Sequence, residues 1–95
     1  MAAYAVVELK LNDQSWIERY VPPVRALIEK HGGRILARAF EYEQLEGERR
    51  PDAIVIIEFP SMDAARAFYT DPDYQPHLKV RLAGAQSELY LLPGE

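Results

Sequence analysis

Apolar and polar positions along the chain alternate with different periods in successive segments. Four segments have the alternating or continuous apolar pattern of β-strands: AYAVVELKL (3–11), RILARAF (34–40), AIVIIEF (53–59) and QSELYLL (86–92). After the first strand, apolar residues recur every three or four positions and predict an amphipathic helix, with the stripe Trp16, Ile17, Tyr20, Val24, Leu27 and Ile28. Helical patterns are also predicted over SMDAARAFYT (61–70) and DPDYQPHLKVRLAG (71–84).

The start of the first helix carries two competing signals. Ser15 and Glu18 have the spacing of a capping box, whereas Asn12 or Asp13 could cap the helix instead. Further along, Pro22–Pro23 interrupts the stripe and predicts either a kink or a restarted helix.

Glycine, serine and proline mark the remaining boundaries. The HGG stretch (31–33) is expected to end the first helix with a left-handed glycine, and Ser61 is expected to cap the second. The polar stretch EYEQLEGERRP (41–51) is interpreted as a continuation of the second strand plus a hairpin turn that contains Gly47.

The resulting order, β-α-β-β-α-β, predicts an α+β protein with a ferredoxin-like fold. In this fold a four-stranded antiparallel sheet carries its helices on one face, and the first and third strands are central. The length of 95 residues predicts a single domain over residues 1–95.

Strand periodicity divides the side chains between the two faces of this sheet. The residues expected to face the helices are Ala5, Val7, Leu9, Val55, Ile57, Phe59, Leu89 and Leu91. Those expected on the other face are Tyr4, Val6, Glu8, Lys10, Arg34, Leu36, Arg38, Phe40, Ile54, Ile56, Glu58, Glu88 and Tyr90. This second face is too apolar to be left in water, which predicts a homodimer in which a second copy covers it.

Composition narrows the possible partners and the compartment. A net charge of −4 with scattered basic residues argues against nucleic acid or an anionic membrane surface. The chain has no cysteine, and no apolar run approaches the length of a membrane span. The N-terminus has no pattern of a signal peptide, so a cytoplasmic protein is expected.

Two longer motifs and one arginine resemble the DUF1330 family, which consists of small proteins of the dimeric α/β-barrel superfamily. They are HGGRILARAFEYEQLEG, VIIEFPSMDAARAFYTDPDYQ and the arginine at position 81. Thr70 and Phe68 stand where the family pattern often has serine and tryptophan. The resemblance implies two ferredoxin-like units packed sheet against sheet as a dimeric α/β barrel, and it implies no particular reaction.

Glu58 lies within an otherwise apolar strand and is the first candidate for chemistry. It is interpreted as a general base or ligand-orienting carboxylate, or alternatively as a structural ion pair with Arg38 or with an arginine of a partner. Arg38 and Arg81 could each clamp a substrate carboxylate, or could form salt bridges to Glu58, Glu46 or Glu8.

His77 and Tyr74 are candidates on the segment that follows Pro72. His77 could transfer protons near neutral pH, or could be a surface histidine without a partner. His31 is expected to act electrostatically at the end of the first helix. The remaining expected ligand-binding residues are Tyr4, Glu8, Tyr74, Arg81 and Tyr90.

These residues support two functional hypotheses and leave open whether the protein is an enzyme. One is a homodimer that binds, and transforms by acid–base chemistry, a small organic molecule without a cofactor or metal, with Glu58, Arg38 and His77 as its catalytic residues. The other is a non-catalytic ligand-binding or stress-associated module in which the charges only organise the dimer. Haem binding through His31 or His77 is a third possibility.

Overall fold

The computed structural model describes all residues, 1–95, and contains four strands and three helices. The elements are β1 (Ala3–Leu11), α1 (Ile17–Lys30), β2 (Arg34–Ala39), β3 (Ala53–Phe59), α2 (Met62–Thr70), α3 (Gln75–Gly84) and β4 (Ala85–Pro93). The strands form one antiparallel sheet in the order β2-β3-β1-β4. The α+β, ferredoxin-like prediction is therefore confirmed, with β1 and β3 at the centre of the sheet. None of the three helices has the length and apolar character needed to cross a membrane.

The core lies between one face of the sheet and the helices, as the alternation in β1 and β3 predicts. Phe59 of β3 packs on Phe68 of α2 with ring centroids 5.4 Å apart, and Phe68 packs on Tyr74 at 4.4 Å. These tilted rings belong to a larger buried cluster that includes Ala5, Val24, Ile28, Ile57, Ala65 and Leu78. A second cluster, nearer the start of α1, contains Val7, Leu9, Trp16, Ala53 and Ala85.

Strand β2 departs from the predicted alternation because it contains a β-bulge. Ile35 pairs with Ile57, but the next pair along the ladder is Ala37 with Ile56, so Leu36 is the extra residue. A bulge of one residue exchanges the faces of all residues beyond it. Arg38 consequently lies opposite Val55, on the face towards the helices. The prediction that Arg38 and Phe40 share a face with Glu58 is wrong for this reason.

Helix α1 differs from the prediction in its N-cap and in its course past the two prolines. Ser15 does not cap it, because the Ser15 hydroxyl donates to the Asp13 carboxylate at 2.7 Å, and Trp16 stands at the N-cap without a side-chain hydrogen bond. Pro22–Pro23 lies inside one continuous helix. The carbonyls that lose their amide donors belong to Glu18 and Arg19, two solvent-exposed residues near the start of the helix.

Two other predicted boundaries are confirmed, whereas α3 begins at Gln75 and not at Asp71. Gly32 has a left-handed φ of 79° directly after α1. At the start of α2 the Ser61 hydroxyl accepts a hydrogen bond from the backbone N–H of Ala64 at 3.0 Å.

The connection between β2 and β3 is not a hairpin of continued strands. Its backbone is organised by Gln44, whose side-chain amide donates to the carbonyls of Gly47 and Arg49 at 3.0 and 2.7 Å. The Tyr42 hydroxyl closes the loop by donating to the carbonyl of Pro51 at 2.7 Å. Gly47 has a φ of 97°, which agrees with the predicted turn glycine.

Candidate functional site

The sheet separates the predicted site residues into groups that do not share one site. Glu58, Tyr4, Glu8 and Tyr90 lie on the face away from the helices, which we call the open face. Tyr74, Arg81 and Arg38 lie on the helix side, around a cavity. His77 lies partly exposed in the first turn of α3 and lines neither region.

The cavity between the sheet and the helices, which we call the inner cavity, has a volume of about 90 Å³. All of its lining residues are apolar or aromatic except three arginines: Arg25, Arg38 and Arg81. The sheet supplies its floor through alternate residues such as Val7 and Val55, and the apolar stripe of α1 supplies a wall. Only a few side chains can therefore offer a hydrogen bond or a charge to a ligand in this cavity.

Two tyrosine hydroxyls and one guanidinium meet at the helix side of the inner cavity. Tyr20 of α1 and Tyr74, directly before α3, are hydrogen-bonded through their hydroxyl oxygens at 2.9 Å. Arg81 of α3 is only 3% exposed, and its Nη1 nitrogen is buried without a hydrogen-bond partner. A buried guanidinium nitrogen without a partner is costly, because the desolvation of its charge is not compensated.

The surroundings fix the protonation of these groups at neutral pH. Burial raises the pKa of the Tyr20 hydroxyl above its ordinary value, and the adjacent Tyr74 raises it further. Burial acts to lower the pKa of Arg81, but the neighbouring Tyr74 and Tyr20 oxygens outweigh it and raise that pKa. Both groups therefore keep their protons near neutral pH, and Tyr20 is not a general base.

The inner cavity opens where its lining residues become exposed. Arg25 of α1, Arg38 of β2, Phe40 and Tyr69 all line it and are exposed to solvent. Neither Arg25 nor Arg38 forms an ion pair with an acidic side chain, whereas other arginines of the chain do. The mouth is therefore positively charged, and no aspartate or glutamate lines the cavity behind it.

On the open face, Glu58 has partners from its own chain. It accepts a hydrogen bond from Arg34 Nε at 2.9 Å and from the Tyr4 hydroxyl at 3.3 Å. Arg34 lies directly opposite it on β2, before the bulge, and takes the place that the sequence analysis gave to Arg38. Glu8 is likewise paired, with Arg49 of the β2–β3 loop at 3.2 Å.

An ion-pair cluster centred on the buried Asp71 carboxylate joins the end of α1 to the junction of α2 and α3. The Asp71 carboxylate contacts His31 Nε2 at 2.8 Å and Lys30 Nζ at 2.9 Å, and it accepts the Asp73 backbone N–H at 2.9 Å. The hydrogen bond to His31, followed by those to Lys30 and Asp73, lowers the pKa of Asp71. His31 therefore joins the end of α1 to Asp71 through its Nε2 atom.

Three residues of these sites are not predicted as site residues from the sequence: Tyr20, Arg25 and Arg34. Tyr20 was assigned only to the apolar stripe of α1, although a buried tyrosine hydroxyl generally requires a partner and so marks polar chemistry. No three histidine, aspartate or glutamate side chains lie together where they could hold a metal ion.

Comparison with known proteins gives the family of the chain. The sequence model of DUF1330, described as a domain of unknown function, matches residues 2–95. The chain belongs to the DUF1330 family. None of the curated proteins matches it.

Solved structures share its fold at low sequence identity. RPA0582, a protein of unknown function from Rhodopseudomonas palustris, is 22% identical with a TM-score of 0.78, over 99% of this chain and 83% of that one. SnoaB, a cofactor-independent oxygenase from Streptomyces nogalater, is 18% identical with a TM-score of 0.70, over 99% and 93%. A dimeric ferredoxin-like protein of unknown function from Jannaschia sp. CCS1 is 17% identical with a TM-score of 0.67, over 99% and 100%.

Proposed function

We propose that this DUF1330 protein is a homodimer that binds a small organic molecule in the inner cavity of each subunit. We further propose that Tyr20, Tyr74 and Arg81 act on the polar end of that molecule without a metal or organic cofactor. The observation that carries the proposal is the buried group of two hydroxyls and one unpartnered guanidinium nitrogen in an otherwise apolar cavity. Ligand sites are typically apolar cavities with a few convergent polar groups.

The chemistry available to this group is donation of hydrogen bonds and protons. One tyrosine hydroxyl donates to the other, so one hydroxyl proton of the pair is free to point towards a ligand oxygen. Together with Arg81 it can stabilise negative charge that develops on such an oxygen, as donors in a water-poor site do in many enzymes. Glu58 lies across the sheet from the inner cavity, so it is not the general base of this proposal.

The apolar character of the open face supports the proposal of a homodimer. This face carries Val6, Ile54 and Ile56, half-buried, beside Tyr90 and Leu92, which are 44% and 42% exposed. A contiguous apolar sheet face of this kind is usually covered in solution. The dimeric neighbour from Jannaschia has the same fold, which supports a second copy as the cover.

The fold of SnoaB supports chemistry without a cofactor. That protein is a cofactor-independent oxygenase, so the shared fold can host a reaction that needs no bound prosthetic group. Because a fold alone does not determine function, the proposal depends on the residues of the cavity.

The experiment that tests this proposal is a thermal-shift screen of small carboxylic acids, lactones, phenols and haem. A ligand of the native state at about 100 times its dissociation constant adds about 2.7 kcal/mol of stability, a shift on the order of 10 °C for a domain of this size. At least one class of compact, partly apolar compounds is expected to raise the melting temperature. A screen in which no compound does so contradicts the proposal.

A second candidate function is a non-catalytic module in which the charges of the open face only organise the dimer. The pairing of Glu58 with Arg34 and Tyr4 within one chain favours this role for Glu58. We expect Glu58→Gln to leave ligand shifts in the screen unchanged. Loss of every ligand shift in that variant would place the ligand on the open face instead.

A further inference from the structure

We infer that the inner cavity selects small apolar anions, and that Arg81 holds the negatively charged oxygen of the ligand. This inference rests on the proposed function, since it names the ligand class of the same cavity. The expected ligands are carboxylates with a short hydrocarbon chain.

The first observation is the state of Arg81. Its side chain is almost completely buried, yet Nη1 has no partner, and neither an aspartate nor a glutamate is paired with it. Buried arginines are generally paired with an acceptor, because an isolated charge in an apolar interior is strongly unfavourable. A carboxylate entering the cavity supplies the missing acceptor, and arginine matches a carboxylate in a two-pronged geometry.

The second observation is the sign of charge along the cavity. Arg25 and Arg38 stand at the mouth and Arg81 in the interior, and no acidic residue lines the space between them. The whole chain carries a net charge of −4, so this local excess of positive charge is opposite to that of the molecule. Clefts lined by one sign of charge attract ligands of the other sign.

The third observation is size. The volume of about 90 Å³ is smaller than that of the apolar cavity of about 150 Å³ that binds benzene in an engineered protein. A carboxylate with three or four carbon atoms is therefore the appropriate probe. A neutral ligand of the same shape would leave the Arg81 charge uncompensated.

The experiment compares sodium butyrate with butyramide, which has nearly the same shape and no charge. Trp16 is the only tryptophan and lines the cavity, so its fluorescence reports binding, with a parallel thermal-shift titration as a second readout. Sodium chloride at equal concentration corrects for ionic strength. Butyrate is expected to bind at least about tenfold more tightly than butyramide, as a charge-assisted hydrogen bond predicts.

Arg81→Met removes the charge while keeping much of the side-chain volume, and Arg66→Met is the matched control on the exposed side of α2. We expect Arg81→Met to bind butyrate as weakly as butyramide, and Arg66→Met to behave as the wild type.

Equal binding of the two probes by the wild type would overturn the inference about anions but leave the proposed cavity function standing. Undiminished butyrate binding by Arg81→Met would overturn the role of Arg81. Absence of binding by both probes would overturn the inference, and the thermal-shift screen then decides the proposed function separately.

Discussion

Asp71 is the acidic side chain of this protein that is most completely enclosed by partners. It joins His31 and Lys30 at the end of α1 to the chain between α2 and α3, and so holds Tyr74 at the start of α3. The position of Tyr74 in the inner cavity thus depends on an ion-pair cluster outside it. A change at Asp71 is expected to act on the fold first and on the cavity through the fold.

The lowered pKa of Asp71 predicts how stability depends on pH. Because the folded state binds this proton less readily than the unfolded chain, the contribution of Asp71 is present above its ordinary pKa of about 3.9 and is lost as the pH falls below it. The melting temperature of the wild type should therefore fall from about pH 5 to about pH 2, and less steeply in Asp71→Asn. Asp73→Asn, at a position whose side chain is 76% exposed, is the control and should follow the wild type. Parallel pH profiles for Asp71→Asn and wild type would contradict this role.

Single residues of the candidate site were only partly predictable from the sequence. Arg81 and Tyr74 were among the predicted ligand-binding residues, and the structure brings them together with Tyr20. Their meeting depends on how α1 and α3 pack over the sheet, which the sequence pattern does not specify. Whether Arg81 has an acidic partner depends on the same packing.

At the scale of elements, the bulge in β2 determines which arginine meets Glu58. The alternation of β1 and β3 could be predicted, because their ladders are regular and their apolar faces are clear. The bulge at Leu36 could not be predicted from the sequence, since a bulge is defined by pairing with a neighbouring strand. It places Arg34 beside Glu58 and turns Arg38 towards the inner cavity.

A double-mutant cycle tests this consequence of the bulge. Arg34→Met combined with Glu58→Gln should show a coupling free energy of about 0.2–1 kcal/mol, as expected for a partly exposed ion pair. The same cycle with Arg38→Met should show none, because the two side chains lie on opposite faces. Chemical denaturation of the four variants of each cycle gives the values. A larger coupling to Arg38 than to Arg34 would contradict the register.

At the scale of the whole molecule, the open face is an apolar surface that one chain leaves partly exposed. Ile56→Asp introduces a charge at its centre, and we expect this variant to be monomeric in sedimentation at concentrations where the wild type is a dimer. Leu82→Asp, at an exposed position on α3, is the control and should remain dimeric. A monomeric wild type, or an unaffected Ile56→Asp dimer, would contradict the proposed assembly.

The measurement that tests the central claim most directly is the ligand response of Val55→Phe. Val55 lies on the floor of the inner cavity, packed against both core clusters, so a phenylalanine there fills the space that a ligand would occupy. Compounds that raise the melting temperature of the wild type in the screen should not raise that of a folded Val55→Phe dimer, whereas Glu58→Gln should keep the full shift. The opposite result, with ligand shifts retained in Val55→Phe and lost in Glu58→Gln, would place the ligand on the open face and contradict this account.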